Sequence, residues 1–290
     1  MIRKLAFVLC GGGARGALQV GALRALLEKN ICPDLLVGTS VGAVNAAFLA
    51  VNGVNLTGIE NLVNAWHDAL LTNLLPPNLL WLTIRAVFNR QTVYYSHRMR
   101  GFYQAHGLAP SLRFGDIEGV KLYIVAADLN QASTVVFGFD PQGSVLDAVL
   151  ASSALPPWIS PLAKDGHLLI DGGAVSTLPI EPALQAGATE IIALDLVDPR
   201  NYSPDTQGFG PFISKMINTV ARRQTELELK LAISRDVPVR RILLRGVQPV
   251  ELWDFGHTDE LIERGYEITR QDIDCWEAVK EPRWLSWLKA

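Results

Sequence analysis

The chain has 290 residues, with 26 Lys and Arg against 29 Asp and Glu for a formal charge of −3. That balance lacks the basic surplus of a nucleic-acid binder, and 49% hydrophobic against 19% charged residues excludes a disordered chain. A chain of this length buries roughly three quarters of its unfolded surface, so its stability requires neither disulfide nor metal. Cys10, Cys32 and Cys275 are odd in number, scattered and without metal-ligand spacing. No metal or cofactor is expected.

Arg3-Lys4 and the apolar run 5–10 imitate a signal peptide, but the run is shorter than the ~7–15 residues of an h-region, and Leu9 before Cys10 is not the small residue of a lipoprotein site. No apolar stretch reaches the ~18 residues of a membrane span; the greasiest, 70–88, is broken by Pro76-Pro77 and carries Arg85. A cytoplasmic protein with reduced thiols is the expectation.

In chain order, 5–10 is a continuous apolar run, the pattern of a strand covered on both faces. A glycine turn follows, then an amphipathic helix with Leu18, Ala22, Ala25 and Leu26 on its apolar stripe. Residues 35–37 read as a second buried strand, 38–42 as a turn and 43–50 as an Ala-rich helix stopping near Gly53. From 57 to 107 the pattern is helical and rich in Leu and Trp. Strands are expected at 121–128 and 134–139, joined by a polar turn at Asn130-Gln131. A helix at 144–152 precedes a strand at 168–170, a short helix at 182–186 and a strand at 190–196. A surface loop at 201–211, a helix to about Ser234, a strand at 241–244 and a helix at 259–279 complete the chain. No repeat or linker divides it. Alternating strands and helices indicate an α/β fold with a parallel or mixed sheet in three layers.

Gly38-Thr39-Ser40-Val41-Gly42 is a G-x-S-x-G between strand and helix. A serine on so sharp a turn needs glycines two residues either side to remove Cβ clashes, and the following helix dipole favours developing negative charge there. The spacing fits a nucleophile; a purely structural turn is the alternative.

Gly11-Gly12-Gly13-Ala14-Arg15-Gly16 is a second strand-to-helix turn. A dinucleotide fingerprint would want an acid at the tip of the next strand, and Val37-Gly38-Thr39-Ser40 offers none. An oxyanion hole of exposed amides at a helix start is the second reading, and a structural turn the third. Arg15 fits either a helix-start ion pair or a residue that positions this loop or an anionic substrate.

Asp171-Gly172-Gly173 closes a strand, where Asp171 either orders a turn or meets another residue at the sheet rim. A seryl hydroxyl needs a proton acceptor. Ser40, Asp171 and His257 follow the order of an α/β-hydrolase triad, but that fold puts several strands before its nucleophile, and His257 reads as a helix start capped by Thr258 or Asp259. Asp171 acting directly is the alternative. A solvated carboxylate of pKa ~3.9 is a poor base, so this demands that Asp171 be sequestered.

Together G-G-G-x-R-G at 11–16, G-T-S-x-G-A at 38–43, A-S-x-A-x-P at 151–156 and D-G-G at 171–173 resemble the patatin-like phospholipases, over about residues 5–200. The resemblance implies a three-layer α/β/α patatin-like sandwich with a mostly parallel sheet and no metal. It implies a serine lipid acyl hydrolase with Ser40 as nucleophile, Asp171 as proton acceptor and the glycine-loop amides as oxyanion hole. Residues 5–200 would form the catalytic domain and 201–290 an extension packed on it. The substrate would be a lipid or acyl ester, with transient membrane contact. Rival readings are an acyltransferase or generic esterase with the same nucleophile, and a non-catalytic lipid- or nucleotide-binding regulator. Cys10 stands where many members carry Asp or Ser, without expected effect on the chemistry. Residues 70–82 would line an acyl pocket, form a cover or pack as core; Trp276, Trp284, Trp287 and Leu288 would anchor at an interface or pack on the domain.

Overall fold

The computed structural model describes residues 3–72, 93–156, 158–199 and 209–280. Its sheet contains β1 (Leu5–Leu9), β2 (Leu35–Thr39), β3 (Lys121–Asp128), β4 (Ser133–Phe137), β5 (Leu162–Lys164), β6 (His167–Asp171), β7 (Glu190–Val197) and β8 (Val239–Arg245). The β3, β2, β1, β7 and β8 strands are mutually parallel, whereas β4 and β6 run antiparallel to β3, and β5 antiparallel to β6. The helices are α1 (Ala17–Glu28), α2 (Val41–Asn52), α3 (Leu56–Leu71), α4 (Val93–Ala105), α5 (Val145–Ser152), α6 (Ile180–Gln185), α7 (Phe209–Ser234) and α8 (Thr258–Lys280).

Strand β1 explains the layering. With a side-chain period of two, Leu5, Phe7 and Leu9 enter one core, shared with α1, α2, α3 and α8. Ala6, Val8 and Cys10 enter a second core on the other face, under α6 and α7. Both sets are buried, so β1 reads as an unbroken apolar run rather than an alternating one. The result is a mostly parallel sheet between two helical layers.

Several expected boundaries shift. The strand expected at 168–170 runs from His167 through Asp171, so the acid is itself the last strand residue. The short helix occupies Ile180–Gln185, and β8 extends over Val239–Arg245. The 57–107 region resolves into α3 and α4, with the Pro76-Pro77 stretch outside the described residues. Strand β5 gave no sequence signal, because three residues with mixed exposure carry no readable period. The loop expected at 201–211 and most of the C-terminal Trp-rich tail also lie largely outside the described residues. Trp276 is half-buried, with the Arg240 guanidinium 5.3 Å from its ring centroid.

The register of β3 positions the site. Along β3, β4 occupies one edge over 124–128, and β2 takes the opposite edge over 121–125. Residues 126–128 pair with β6, on the edge that β4 leaves open, so β2 and β6 share one lane and run toward each other. Thr39 is opposite Val125 and Asp171 is opposite Ala126. The residue after β2 therefore meets the last residue of β6.

Helix α8 packs on α1 through a pair of glycines. A Cβ on Gly21 would lie 1.8 Å from the Ile262 carbonyl oxygen, and one on Gly265 would lie 1.9 Å from that of Leu18. Backbone atoms cannot yield as a flexible side chain can. Gly265→Val is expected to cost about 3 kcal/mol or more by forcing the helices apart, measured as a lower urea midpoint; an unchanged midpoint would contradict this packing.

Candidate active site

Ser40 occupies the junction of β2 and α2 with φ 56° and ψ −126°. Positive φ is unfavourable for a residue with a Cβ, and such strain costs on the order of 1–3 kcal/mol. The turn closes because Gly38 and Gly42 flank it: a Cβ on Gly38 would lie 2.4 Å from the Gly42 carbonyl oxygen. The Ser40 carbonyl accepts from the amides of Ala43 at 2.9 Å and Val44 at 3.1 Å, starting α2. Its own amide donates to Ser152 Oγ at 2.8 Å, and the Ser152 hydroxyl donates to the Val125 carbonyl at 2.6 Å. Ser152 belongs to the 151–156 motif, so its signal was present in the sequence although its role was not.

The Ser40 hydroxyl donates to Asp171 Oδ2 at 2.6 Å, across 131 positions of sequence. Asp171 is buried, and its Oδ1 accepts the Gly173 amide at 2.8 Å within the turn Gly172–Ala174. Burial pushes the Asp171 carboxyl up to about 6, against the opposing pull of the hydrogen bonds from Ser40 and Gly173. The carboxyl is thus sequestered, as a direct base requires. His257 is not joined to this pair: it is partly exposed, facing Glu260 at 3.3 Å and Asp254 at 3.6 Å. The cap at this helix start also differs from the expected one, since Asp254 accepts the Gly256 amide. Among the described residues, no histidine hydrogen bond reaches Ser40 or Asp171.

The first glycine turn lies against the same rim. A Cβ on Gly11 would lie 3.1 Å from Ser40 Cβ, so this backbone lies beside Ser40. The Gly11 amide is already committed to the Thr177 carbonyl at 3.0 Å, and that of Ala14 to Leu252 at 2.7 Å. The amides of Gly12 and Gly13 have no acceptor among the described residues. Arg15 Nε donates to the Gly12 carbonyl at 3.1 Å, and its guanidinium pairs with Asp198, both side chains nearly buried. Because a trans peptide is planar, drawing the Gly12 oxygen toward Arg15 turns the Gly13 amide the opposite way. Arg15 therefore makes the ion pair and also braces the loop.

Two further networks fix the turns relative to one another. Gln19 Nε2 donates to the Cys10 carbonyl at 2.8 Å, Asn45 Nδ2 to Gln19 Oε1 and the Gly16 carbonyl at 3.0 Å each, and Trp66 Nε1 to Asn45 Oδ1 at 2.9 Å. These buried polar groups satisfy one another and fasten the glycine turn to α1, α2 and α3. On the opposite face, the Thr39 hydroxyl donates to the Ser176 carbonyl at 2.8 Å, and Ser176 Oγ donates to buried Glu228 of α7 at 2.5 Å. Glu228 also accepts the Glu181 amide at 2.8 Å, and Gln224 Nε2 donates to the Ala174 carbonyl at 3.0 Å. Nothing in the sequence marked Glu228 or Gln224. Val41 lies where a side chain on Gly16 would fall. Cys10 turns into the second core, where its sulfur accepts the Leu196 amide at 2.8 Å and burial holds the thiol well above its ordinary range, so its side chain stays out of the site.

A doubly covered, mostly parallel sheet carrying a strained serine hydrogen-bonded to a buried aspartate defines the class as an α/β protein with a paired Ser–Asp site. The patatin-like phospholipase family model matches residues 7–184, and the chain belongs to that family. It is 29% identical to mouse patatin-like phospholipase domain-containing protein 7 over 94% of this chain and 21% of that protein. It is 30% identical to the Drosophila melanogaster neuropathy target esterase sws over 71% of this chain and 14% of that protein. The chain thus spans about a fifth or less of the length of these relatives. The crystal structure of VipD from Legionella pneumophila aligns with 94% of this chain and 67% of its own, at 14% identity and a TM-score of 0.49.

The raised Asp171 carboxyl has a consequence for stability. With a folded value near 6 and an unfolded one near ~3.9, the native state binds the proton more tightly, so stability falls as pH rises between these values. Above that window the buried carboxylate costs about 3 kcal/mol. Asp171→Asn is expected to be more stable than the parent at about pH 8, with the advantage gone near about pH 4, as read from urea melts. A variant with parent-like stability at both would contradict a desolvated carboxyl.

Proposed function

We propose that the protein is a serine lipid acyl hydrolase in which Ser40 is the nucleophile and Asp171 the proton acceptor. The observation that carries this reading is the 2.6 Å hydrogen bond from a strained seryl hydroxyl to a buried carboxylate. Membership of the patatin-like phospholipase family supports an acyl ester of a lipid as the substrate class.

The geometry supports the following chemistry. Asp171 takes the hydroxyl proton as Ser40 Oγ bonds to the ester carbonyl carbon, and the carbonyl π pair moves onto oxygen. The Gly12 amide and the Gly13 amide, the latter oriented by Arg15, stabilise that oxyanion, aided by the N-terminus of α2. As the tetrahedral species collapses, the ester C–O bond breaks and the leaving alkoxide takes the proton from Asp171, giving an acyl-serine. Water then repeats the sequence: it loses a proton to Asp171, attacks the acyl carbon and expels Ser40, which recovers the proton. A carboxyl raised to about 6 is ionised at neutral pH yet more basic than a solvated aspartate.

Residues 5–200 and the extension 201–290 are taken to work as one catalytic unit, meeting substrate at a lipid surface. Among the described residues, no helix is long and apolar enough to cross a membrane.

Ser40→Ala and Asp171→Asn are each expected to lower hydrolysis of a soluble short-chain ester at least about 1000-fold, while His257→Ala retains parental activity. Labelling of Ser40 by a fluorophosphonate should be lost in Ser40→Ala; activity surviving in either dyad variant would refute the pair. For the parent, kcat/KM should rise with pH through about 6 as Asp171 ionises, then level off. A pH profile flat across this range would assign the proton to another group.

A further inference from the structure

Helix α7 has an inner face that holds the site and an outer face that the proposed chemistry does not use. It leaves the sheet after β7 and returns to the start of β8, which is parallel to β7, so it descends from the C-terminal edge of the sheet toward the N-terminal edge. Gln224 and Glu228 mark the level of the site through their bonds to Ala174, Ser176 and Glu181. At 1.5 Å per residue, Phe212 lies roughly 18 Å along the axis beyond Gln224, on the side to which the Ser40–Asp171 rim faces. The first half of α7 therefore stands past the rim.

That projecting half is apolar toward solvent. Phe212, Met216 and Val220, spaced by four and so in one row, are 56%, 51% and 54% exposed, and Ile217 beside them is 58% exposed. The opposite face turns Thr225, Glu228 and Ala232 inward. Lys215, Arg222 and Arg223 border the row, with Glu226 as the acid paired to both arginines. The local balance is cationic although the whole chain carries −3. An amphipathic helix with an apolar row and cations along one side of it fits the interface of an anionic bilayer. A second copy fits less well, because isologous pairing of this row would bring its cationic borders together.

We infer that the projecting half of α7 docks on an anionic lipid surface through Phe212, Met216 and Val220 and holds the Ser40–Asp171 rim against it. This rests on the proposed lipid acyl hydrolase activity and names the surface at which the enzyme would meet its substrate.

The test is flotation of the full chain with phosphatidylcholine vesicles, with and without phosphatidylglycerol, in a Ser40→Ala background that leaves the vesicles intact. Binding should be stronger with phosphatidylglycerol, and Phe212→Glu with Met216→Glu should weaken it at least about tenfold. Leu227→Glu with Ile233→Glu, on the same helix but on the sheet side of Gln224, should leave it unchanged. With Ser40 restored, the Phe212/Met216 pair should keep soluble-ester activity within about twofold of the parent, since it lies outside the site, while hydrolysis of vesicle lipid falls about tenfold. Parental vesicle binding in that pair, an equal loss in the Leu227/Ile233 pair, or a dimer in solution that the Phe212/Met216 pair dissociates would each overturn the inference. A parent inactive on every ester but still bound to vesicles through Phe212 would overturn the hydrolase reading and leave the docking surface standing.

Discussion

The structure depends on two strands sharing one edge of a third. β2 ascends beside the first half of β3, β6 descends beside its last three residues, and they meet where Val125 gives way to Ala126. Main-chain ladders fix both ends, so a hydroxyl and a carboxyl 131 positions apart come together without either side chain having to search for its partner. Orientation of this kind replaces an entropic cost that a reacting pair would otherwise bear at each turnover.

Two unfavourable features are concentrated at that junction: a seryl backbone with positive φ and a carboxyl removed from water. Their surroundings offset them. Ser152 satisfies the Ser40 amide, the Gly173 amide satisfies Asp171, and the buried cores on both sheet faces hold the strands in register. The same features that lower stability are the ones the proposed chemistry uses, because a relaxed turn would withdraw the hydroxyl and a solvated aspartate would be a weaker base.

What was legible in the sequence was what local spacing encodes. Glycines two residues either side of Ser40 announce a turn, and an acid followed by two glycines at a strand end announces a rim position. Local context and strand order also weighed against His257, which lies by Asp254 and Glu260 rather than by Ser40. The supports were not legible, because they are pairings across long stretches of chain between residue types that are common on surfaces. Asp198 beside Arg15, and Glu228 beside Ser176, carry no spacing that distinguishes them from solvated acids. The commitment of the Gly11 amide was equally hidden, since an amide's partner depends on where the Thr177 carbonyl arrives in space.

These long-range supports also bear on how much chain the site needs. The family match ends at residue 184, yet the Ala14 amide next to the glycine turn is bonded to the Leu252 carbonyl, and the Asp171 turn is bonded to Gln224. Beyond 184 lie β7, which covers one edge of β1, and α8, which packs through Gly265 on the helix that follows the glycine turn. Removing these elements would strip an edge from the central strand and expose both cores, while leaving every sequence motif intact. The motifs therefore specify the serine and the acid, and the chain beyond them supplies the rigidity that keeps a strained serine and a buried acid within one hydrogen bond.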